Sequence, residues 1–247
     1  MAGGQSPVFA CIGQMGSGKS HYVRELIKSY QNPTPKYLFL VVLNTSKEFS
    51  EFCAHKERFN KDRLKATYTP EALKALIQHY GSVHFEVPNF GQPLKPFLSA
   101  LYQAIFELGE YEADGCRVLF VTDETPTFFN KMMYSLEANI LCTESRKYGI
   151  HMVFAFQKIA STSVYTIHQM VLNAVNIWAI FPTTEVNNRK HIEATLSASI
   201  PDPGLLAMPI KDRAGPEYIV IDRLHNRMGV VRRRPDNTRF FEELRAV

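Results

Sequence analysis

The stretch Pro7-Val8-Phe9-Ala10-Cys11-Ile12-Gly13-Gln14-Met15-Gly16-Ser17-Gly18-Lys19-Ser20 decides how this chain is read. A short apolar run enters a glycine-rich loop of the form G-x-x-x-x-G-K-S, and an amphipathic pattern follows from Lys19 to about Tyr30. Strand, loop and helix in that order make a phosphate-binding loop. Glycines let successive backbone N–H groups turn inward around phosphate oxygens, in conformations that a Cβ obstructs. The helix starting near Lys19 adds its positive dipole end. Gly13, Gln14, Met15, Gly16, Ser17, Gly18, Lys19 and Ser20, with His21 next to them, are therefore the candidate nucleotide-binding residues. Lys19 is expected to bridge the β- and γ-phosphates of ATP, and the Ser20 hydroxyl to ligate Mg²⁺. The competing reading is a glycine-rich turn that binds nothing.

Further along, Val118 to Thr122 is a second apolar run, and it ends in Asp123-Glu124. An acid at the C-terminal end of a buried parallel strand lies where open α/β sheets bind their ligands. Asp123 is expected to hold Mg²⁺ through a water, and Glu124 to act as the general base toward an attacking water. That base favours hydrolysis over phosphoryl transfer to a small molecule. A further strand is expected between the two motif strands. The run Ile150 to Phe156 ends in Gln157 at the same predicted edge, suited to contact the γ-phosphate or the lytic water. A solvated strand-end amide is the plain alternative for Gln157.

The remaining sequence alternates short β-branched runs with helical patterns, which predicts a mostly parallel sheet flanked by helices. Predicted strands are Tyr37 to Leu43, Val83 to Val87 and Ile177 to Phe181. Predicted helices are a short one near Phe49 to Phe59, then Pro70 to about Tyr80 behind a Thr69 cap, Pro93 to Glu110, Ser135 to Lys147, Ser163 to Ala174 and Glu185 to Leu196. Glu217 to Arg223 and Met228 to Arg232 read as a hairpin. The expected fold class is α/β: a three-layer P-loop NTPase of the RecA/ASCE-like type with a C-terminal β-hairpin. One domain is expected over residues 1–247, with its core at about 7–200 and a basic hairpin region at about 215–240.

Composition narrows the function classes. The chain has 247 residues, 45% of them hydrophobic and 21% charged, which is ordinary for a globular protein with a full core. No run approaches the roughly 20 apolar residues that span a bilayer, so no stable membrane insertion is expected. The N-terminus lacks the pattern of a signal peptide, which leads to the expectation of a soluble intracellular protein. Cys11, Cys53, Cys116 and Cys142 are too scattered for a zinc site or a disulfide framework. The net charge of +4 permits a nucleic-acid partner without arguing for one.

The block Ser145-Arg-Lys-Tyr-Gly-Ile-His-Met-Val-Phe-Ala-Phe-Gln157 resembles the FtsK–HerA superfamily of DNA-pumping ATPases. Members carry Arg-Lys-x-Gly-Ile, an apolar strand and a terminal Gln after the Walker B helix. The resemblance spans residues 7 to 185 or so and points to the genome-packaging ATPases of membrane-containing icosahedral viruses. It implies ATP and Mg²⁺ as ligands, a homo-oligomeric ring (usually a hexamer), double-stranded DNA as partner, and docking at a viral capsid or portal vertex. The implied location is the host cytoplasm, with association to the virion at the packaging vertex. It assigns Lys19 and Ser20 to phosphate and metal, Asp123 and Glu124 to Walker B, Gln157 to sensing, and Arg146 to a trans-acting finger. A cation ending a helix is the competing view of Arg146, and Arg189 is the second finger candidate. One departure stands out. Many relatives carry an acid at the end of the second strand, where this chain has Asn44.

For DNA, Arg232-Arg233-Arg234 with Arg223, Arg227 and Arg239 makes the C-terminal region the most basic part of the chain. Such a cluster neutralises phosphates without reading sequence; a solvated strand edge or a subunit contact is the alternative. The loop Lys158 to Val164 and the pair Asn130-Lys131 are weaker candidates. Other functions consistent with the sequence are an assembly or export ATPase of the filamentous-phage type and a nucleotide kinase.

Overall fold

A computed structural model of the chain describes residues 6–60, 62, 68–88, 94–159, 166–184, 186–196, 199–208, 215–236 and 238–245. Its frame is one ten-stranded sheet. In chain order the strands are β1 (Val8–Ile12), β2 (Phe39–Asn44), β3 (His55–Arg58), β4 (Ser82–Glu86), β5 (Val118–Thr122), β6 (Ile150–Phe156), β7 (Ile177–Ile180), β8 (Tyr218–Asp222), β9 (Arg227–Arg233) and β10 (Arg239–Arg245). The spatial order is β10-β9-β8-β7-β1-β6-β5-β2-β4-β3. From β7 to β3 every pairing is parallel, and β8, β9 and β10 add on antiparallel. As expected from the sequence, a strand is inserted between the two motif strands: β6 lies between β1 and β5.

The helices are α1 (Lys19–Gln31), α2 (Pro70–Tyr80), α3 (Leu94–Leu108), α4 (Thr125–Phe128), α5 (Leu136–Glu144), α6 (Gln169–Ala174) and α7 (Val186–Leu196). Strand side chains alternate between two apolar layers, as the two-residue period of a strand requires. Val8, Ala10 and Ile12 of β1 join a large core with residues of α2, α3, α5, α6 and α7. Phe9 and Cys11 face the other way, onto Val23 and Ile27 of α1 and onto Phe49. The sheet is therefore the middle layer of three, with α1 alone among these helices on its thinner side.

Local signals explain most boundaries. Thr69 Oγ1 accepts from Ala72 N to cap α2, and Ser135 Oγ accepts from Ala138 N to cap α5. Several expectations need correction. The segment predicted as a helix near Phe49 to Phe59 holds only a 3₁₀ turn, Ser50–Phe52, before β3. Phe49 adopts φ 68° there and is fully buried, so its ring sinks into the thinner core layer and the backbone cannot continue as a helix. Helix α5 ends at Glu144, and Ser145–Lys147 tightens into a 3₁₀ turn. The short α4 and the last strand β10 have no counterpart in the sequence reading. The predicted helix from Ser163 begins in residues outside the described set; within that set α6 starts at Gln169, and Ile167 instead bridges Asn130. All four cysteines are free thiols, and no described helix is long and apolar enough to cross a membrane.

Candidate nucleotide site

Seven parallel strands put their C-terminal ends along one edge, so residues far apart in sequence meet there. Gly13 follows β1, Asp123 follows β5, Gln157 follows β6 and Asn44 ends β2. The phosphate-loop backbone has the shape its glycines permit. Gly18, the N-cap of α1, has φ 98° and sits so close to Pro216 that a Cβ would lie 2.4 Å from its Cγ. A Cβ on Gly13 would lie 2.6 Å from Phe181 Cβ and 2.7 Å from Ser17 Oγ. Lys19 folds back over the loop, its Nζ donating to Gly13 O at 2.6 Å and to Gln14 O at 2.9 Å. Burial lowers the Lys19 pKa, while the carboxylates of Asp123 and Glu124 pull it back up.

Unlike α2 and α5, α1 has no side-chain cap and no acid in its first turn. Its N–H groups are thus left for an anion, the arrangement that holds phosphate at helix N-termini. Ser17 Oγ is fully buried at the base of the loop with no hydrogen-bond partner. Ser20 is half-buried, His21 exposed, and Met15 79% exposed. The side chains of Met15 and His21 are thus open to solvent at the rim of the loop. A glycine cradle, an uncapped helix start and a lysine bound over the loop carbonyls fit a nucleotide phosphate chain, with Ser20 and Asp123 as the residues that would hold its magnesium.

Opposite the loop, Asp123 Oδ1 accepts from Glu124 N at 3.0 Å. Burial raises the Asp123 pKa to about 7, and the carboxylates of Glu48 and Glu124 push in the same direction. Glu124 has φ 53°, a left-handed conformation uncommon for a side chain with Cβ, and caps α4. Its kink is clamped on the far side: Thr122 Oγ1 and Thr125 Oγ1 are 2.7 Å apart, and Thr125 Oγ1 donates to Ala155 O at 3.0 Å. Gln157 Nε2 donates to Glu124 Oε1 at 3.1 Å, so the strand-end amide meets the Walker B glutamate directly.

The structure gives Asn44, the departure marked in the sequence, a local role, and it brings in residues that the sequence reading did not single out. Asn44 is buried and holds its own turn. Its Oδ1 accepts from Thr45 N and Ser46 N, and its Nδ2 donates to Glu48 O, which turns the chain back; the Glu48 carboxylate pairs with Arg24 of α1 at 3.1 Å. Pro216 and Tyr218 come from the C-terminal region to pack on Gly18 and on Tyr22. The only advance signal for Glu48 was a carboxylate a few residues past a strand end, which is common on any surface.

Arg146 lies elsewhere. Its carbonyl accepts from Ser6 N, next to the start of β1, so it sits at the opposite edge of the sheet. Five strand residues separate that edge from the loop, about 16 Å. Its Nη2 donates to Ala174 O at 2.6 Å, at the C-terminus of α6. Within one subunit the guanidinium therefore serves as the helix-end cation that was its competing reading. Arg189 is on α7, which leaves the loop edge after β7, and pairs with Glu193 at 3.2 Å. Asn130 is fully buried, with Nδ2 bonded to Pro126 O and Oδ1 to Met132 N and Met133 N, so it cannot meet a nucleic acid. The candidate pore residues from 160 to 164 lie outside the described residues.

By sequence, no family model and no curated protein matches the chain. By structure, it is similar to the genome packaging NTPase B204 of Sulfolobus turreted icosahedral virus 2 in complex with ATP-gammaS: TM-score 0.58, 14% identity, 98% of each chain covered. The chain has the P-loop ATPase fold. B204, the DNA-packaging ATPase of Sulfolobus turreted icosahedral virus, gives a TM-score of 0.55 at 14% identity over 92% of this chain and 97% of that one. VirB4 of Thermoanaerobacter pseudethanolicus gives 0.55 at 10% identity over 97% and 89%. The likeness to the packaging NTPase runs over 98% of this chain, so it takes in the added antiparallel strands as well as the parallel part of the sheet.

Proposed function

We propose that this protein is an ATP-hydrolysing motor that moves double-stranded DNA, packaging a viral genome into a preformed capsid. The observation that carries the hydrolysis reading is the contact between Gln157 and Glu124 beside the phosphate loop. A general base needs a fixed orientation toward a water in line with the γ-phosphorus, and the amide of Gln157 with the left-handed turn at Glu124 supplies one. In this reading Lys19 leaves the loop carbonyls for the β- and γ-phosphate oxygens. Ser20 and Asp123 would hold a magnesium ion, which would neutralise phosphate charge. Water attacks the γ-phosphorus, its proton passes to Glu124, and ADP leaves with the β–γ bridging oxygen.

The packaging reading rests on the likeness to B204 and on the basic C-terminal strands. Arg233 and Arg234 lie half-buried to exposed at the end of β9, with Arg234 stacked over Phe240 at 5.1 Å. Part of the cluster is neutralised: Arg232 pairs with Glu242 at 2.6 Å and Arg227 with Glu243 at 3.0 Å. A hexameric ring would give the arginines a common axis, and Arg189, at the loop edge, is a better-placed finger than Arg146. Fold alone does not select the cargo, because VirB4 matches as well as B204 does. An assembly or export ATPase is the competing function. Measuring ATPase rate against added double-stranded DNA separates them: the motor is expected to be stimulated, and an unchanged rate in assembled rings would remove DNA as the cargo.

A further inference from the structure

The floor of the phosphate loop carries a hydroxyl that nothing satisfies. Ser17 is fully buried, and its Oγ has no hydrogen-bond partner among the described residues. A buried hydroxyl left unpaired is costly, and native proteins keep few of them. This one lies against the Gly13 backbone: a Cβ on that glycine would be 2.7 Å from Ser17 Oγ. The Gly13 carbonyl is already engaged, because Lys19 Nζ donates to it at 2.6 Å and to Gln14 O at 2.9 Å. Gln14 O has a second donor in Ser17 N at 3.3 Å. For Gly13 O, the lysine is the one donor among the described residues.

An ammonium has three N–H donors. On the ATPase reading above, on which this inference rests, two of them go to the β- and γ-phosphate oxygens. One donor is then left for two loop carbonyls, and Gly13 O is the carbonyl without a substitute. We propose that Ser17 is a positioning residue of the nucleotide site, whose hydroxyl takes over the Gly13 carbonyl when Lys19 turns to the phosphates. A hydroxyl hydrogen rotates to whichever acceptor is open, so the exchange needs no rebuilding of the loop. Ser17 touches no phosphate in this account. It acts through Gly13, and nucleotide binding turns an unpaired hydroxyl into a paired one.

The test reads two quantities on the full chain: the urea midpoint without nucleotide, and the dissociation constant of a non-hydrolysable ATP analogue with Mg²⁺. Ser17→Ala removes a hydroxyl that stays unpaired until the lysine moves. Its midpoint is expected to equal or exceed that of wild type, while the analogue binds roughly fivefold more weakly. Ser17→Cys fills the same space with a weak donor and is expected to share the loss of affinity, which separates the bond from the volume. In Lys19→Met the Gly13 carbonyl is open from the outset. Ser17→Ala is therefore expected to lower the midpoint in that background and not in wild type. A structural role alone would lower the midpoint equally in both backgrounds, and that result overturns the proposal; so does wild-type affinity in either Ser17 variant. If wild type does not bind the analogue, the ATPase reading itself falls and the proposal with it.

Discussion

Glu124 and Gly18 are the two residues whose backbone the site cannot do without. Glu124 holds a left-handed conformation that costs on the order of 1–3 kcal/mol and persists because the Thr122–Thr125 clamp and the Gln157 amide over-determine it. Replacing Glu124 by Gln keeps the shape and removes the base. Steady-state phosphate release is expected to fall about 10²- to 10⁴-fold while ATP binding is retained. At Gly18 the demand is steric as well as conformational, with φ 98° and Pro216 in the space of a Cβ. Gly18→Ala is expected to lose stability by about 1–3 kcal/mol in urea unfolding and to lose nucleotide binding, because Pro216 must move before the loop can close.

Between elements, two contacts tie the outer layers to the sheet. Arg146 closes the C-terminus of α6, where unpaired carbonyls would otherwise face the helix end. Arg146→Ala is expected to cost about 1.5–3 kcal/mol in chemical unfolding, the usual size for a bond to a charged donor. Arg146→Ala subunits mixed with Lys19→Ala subunits check for action in trans: recovered activity would support the finger, and inactive intact rings would leave helix capping as its role. Tyr30 of α1 meets His151 of β6, hydroxyl to Nδ1 at 2.7 Å. Burial lowers the His151 pKa from 6.5 to about 4. Above pH 6.5 the ring is neutral in both folded and unfolded chains. As pH falls from 6.5 toward 4 the unfolded chain takes the proton first, so stability drops, by about 3 kcal/mol in full. His151→Gln should lack this component, which shows as a narrowing gap between the two proteins' stability curves over that window.

At the scale of the whole molecule, the ten strands among the described residues end at β3 and β10, and the basic strand β9 lies one strand in from the second. A motor gripping DNA by its backbone binds with affinity that falls linearly in log salt. Arg233→Ala with Arg234→Ala is expected to weaken DNA binding equally for unrelated sequences and to reduce that slope by about one per lost phosphate contact. Fluorescence anisotropy at several salt concentrations measures both. An unaltered slope would assign these arginines to the sheet edge or to a neighbouring subunit instead.

What the sequence determined by itself was whatever depends on neighbours in the chain. Gly13 to Ser20, the Thr69 cap, the strand Ile150–Phe156 and the acid pair after Val118–Thr122 are all legible because turn chemistry, capping and the two- and 3.6-residue periods are local. The segment after Asn44 was not legible, because Phe49 is buried by the tertiary core and not by any helical stripe of its own. Strand β10 escaped notice because Arg239 to Arg245 alternates weakly and, among the described residues, pairs with β9 alone. Only the tertiary structure brought Gln157 onto Glu124, paired Glu48 with Arg24 and set Arg146 about 16 Å from the loop. Those contacts join residues dozens of positions apart. Which strand lies beside which is decided by how the apolar faces of all the elements pack at once, and no single stretch of chain carries that information.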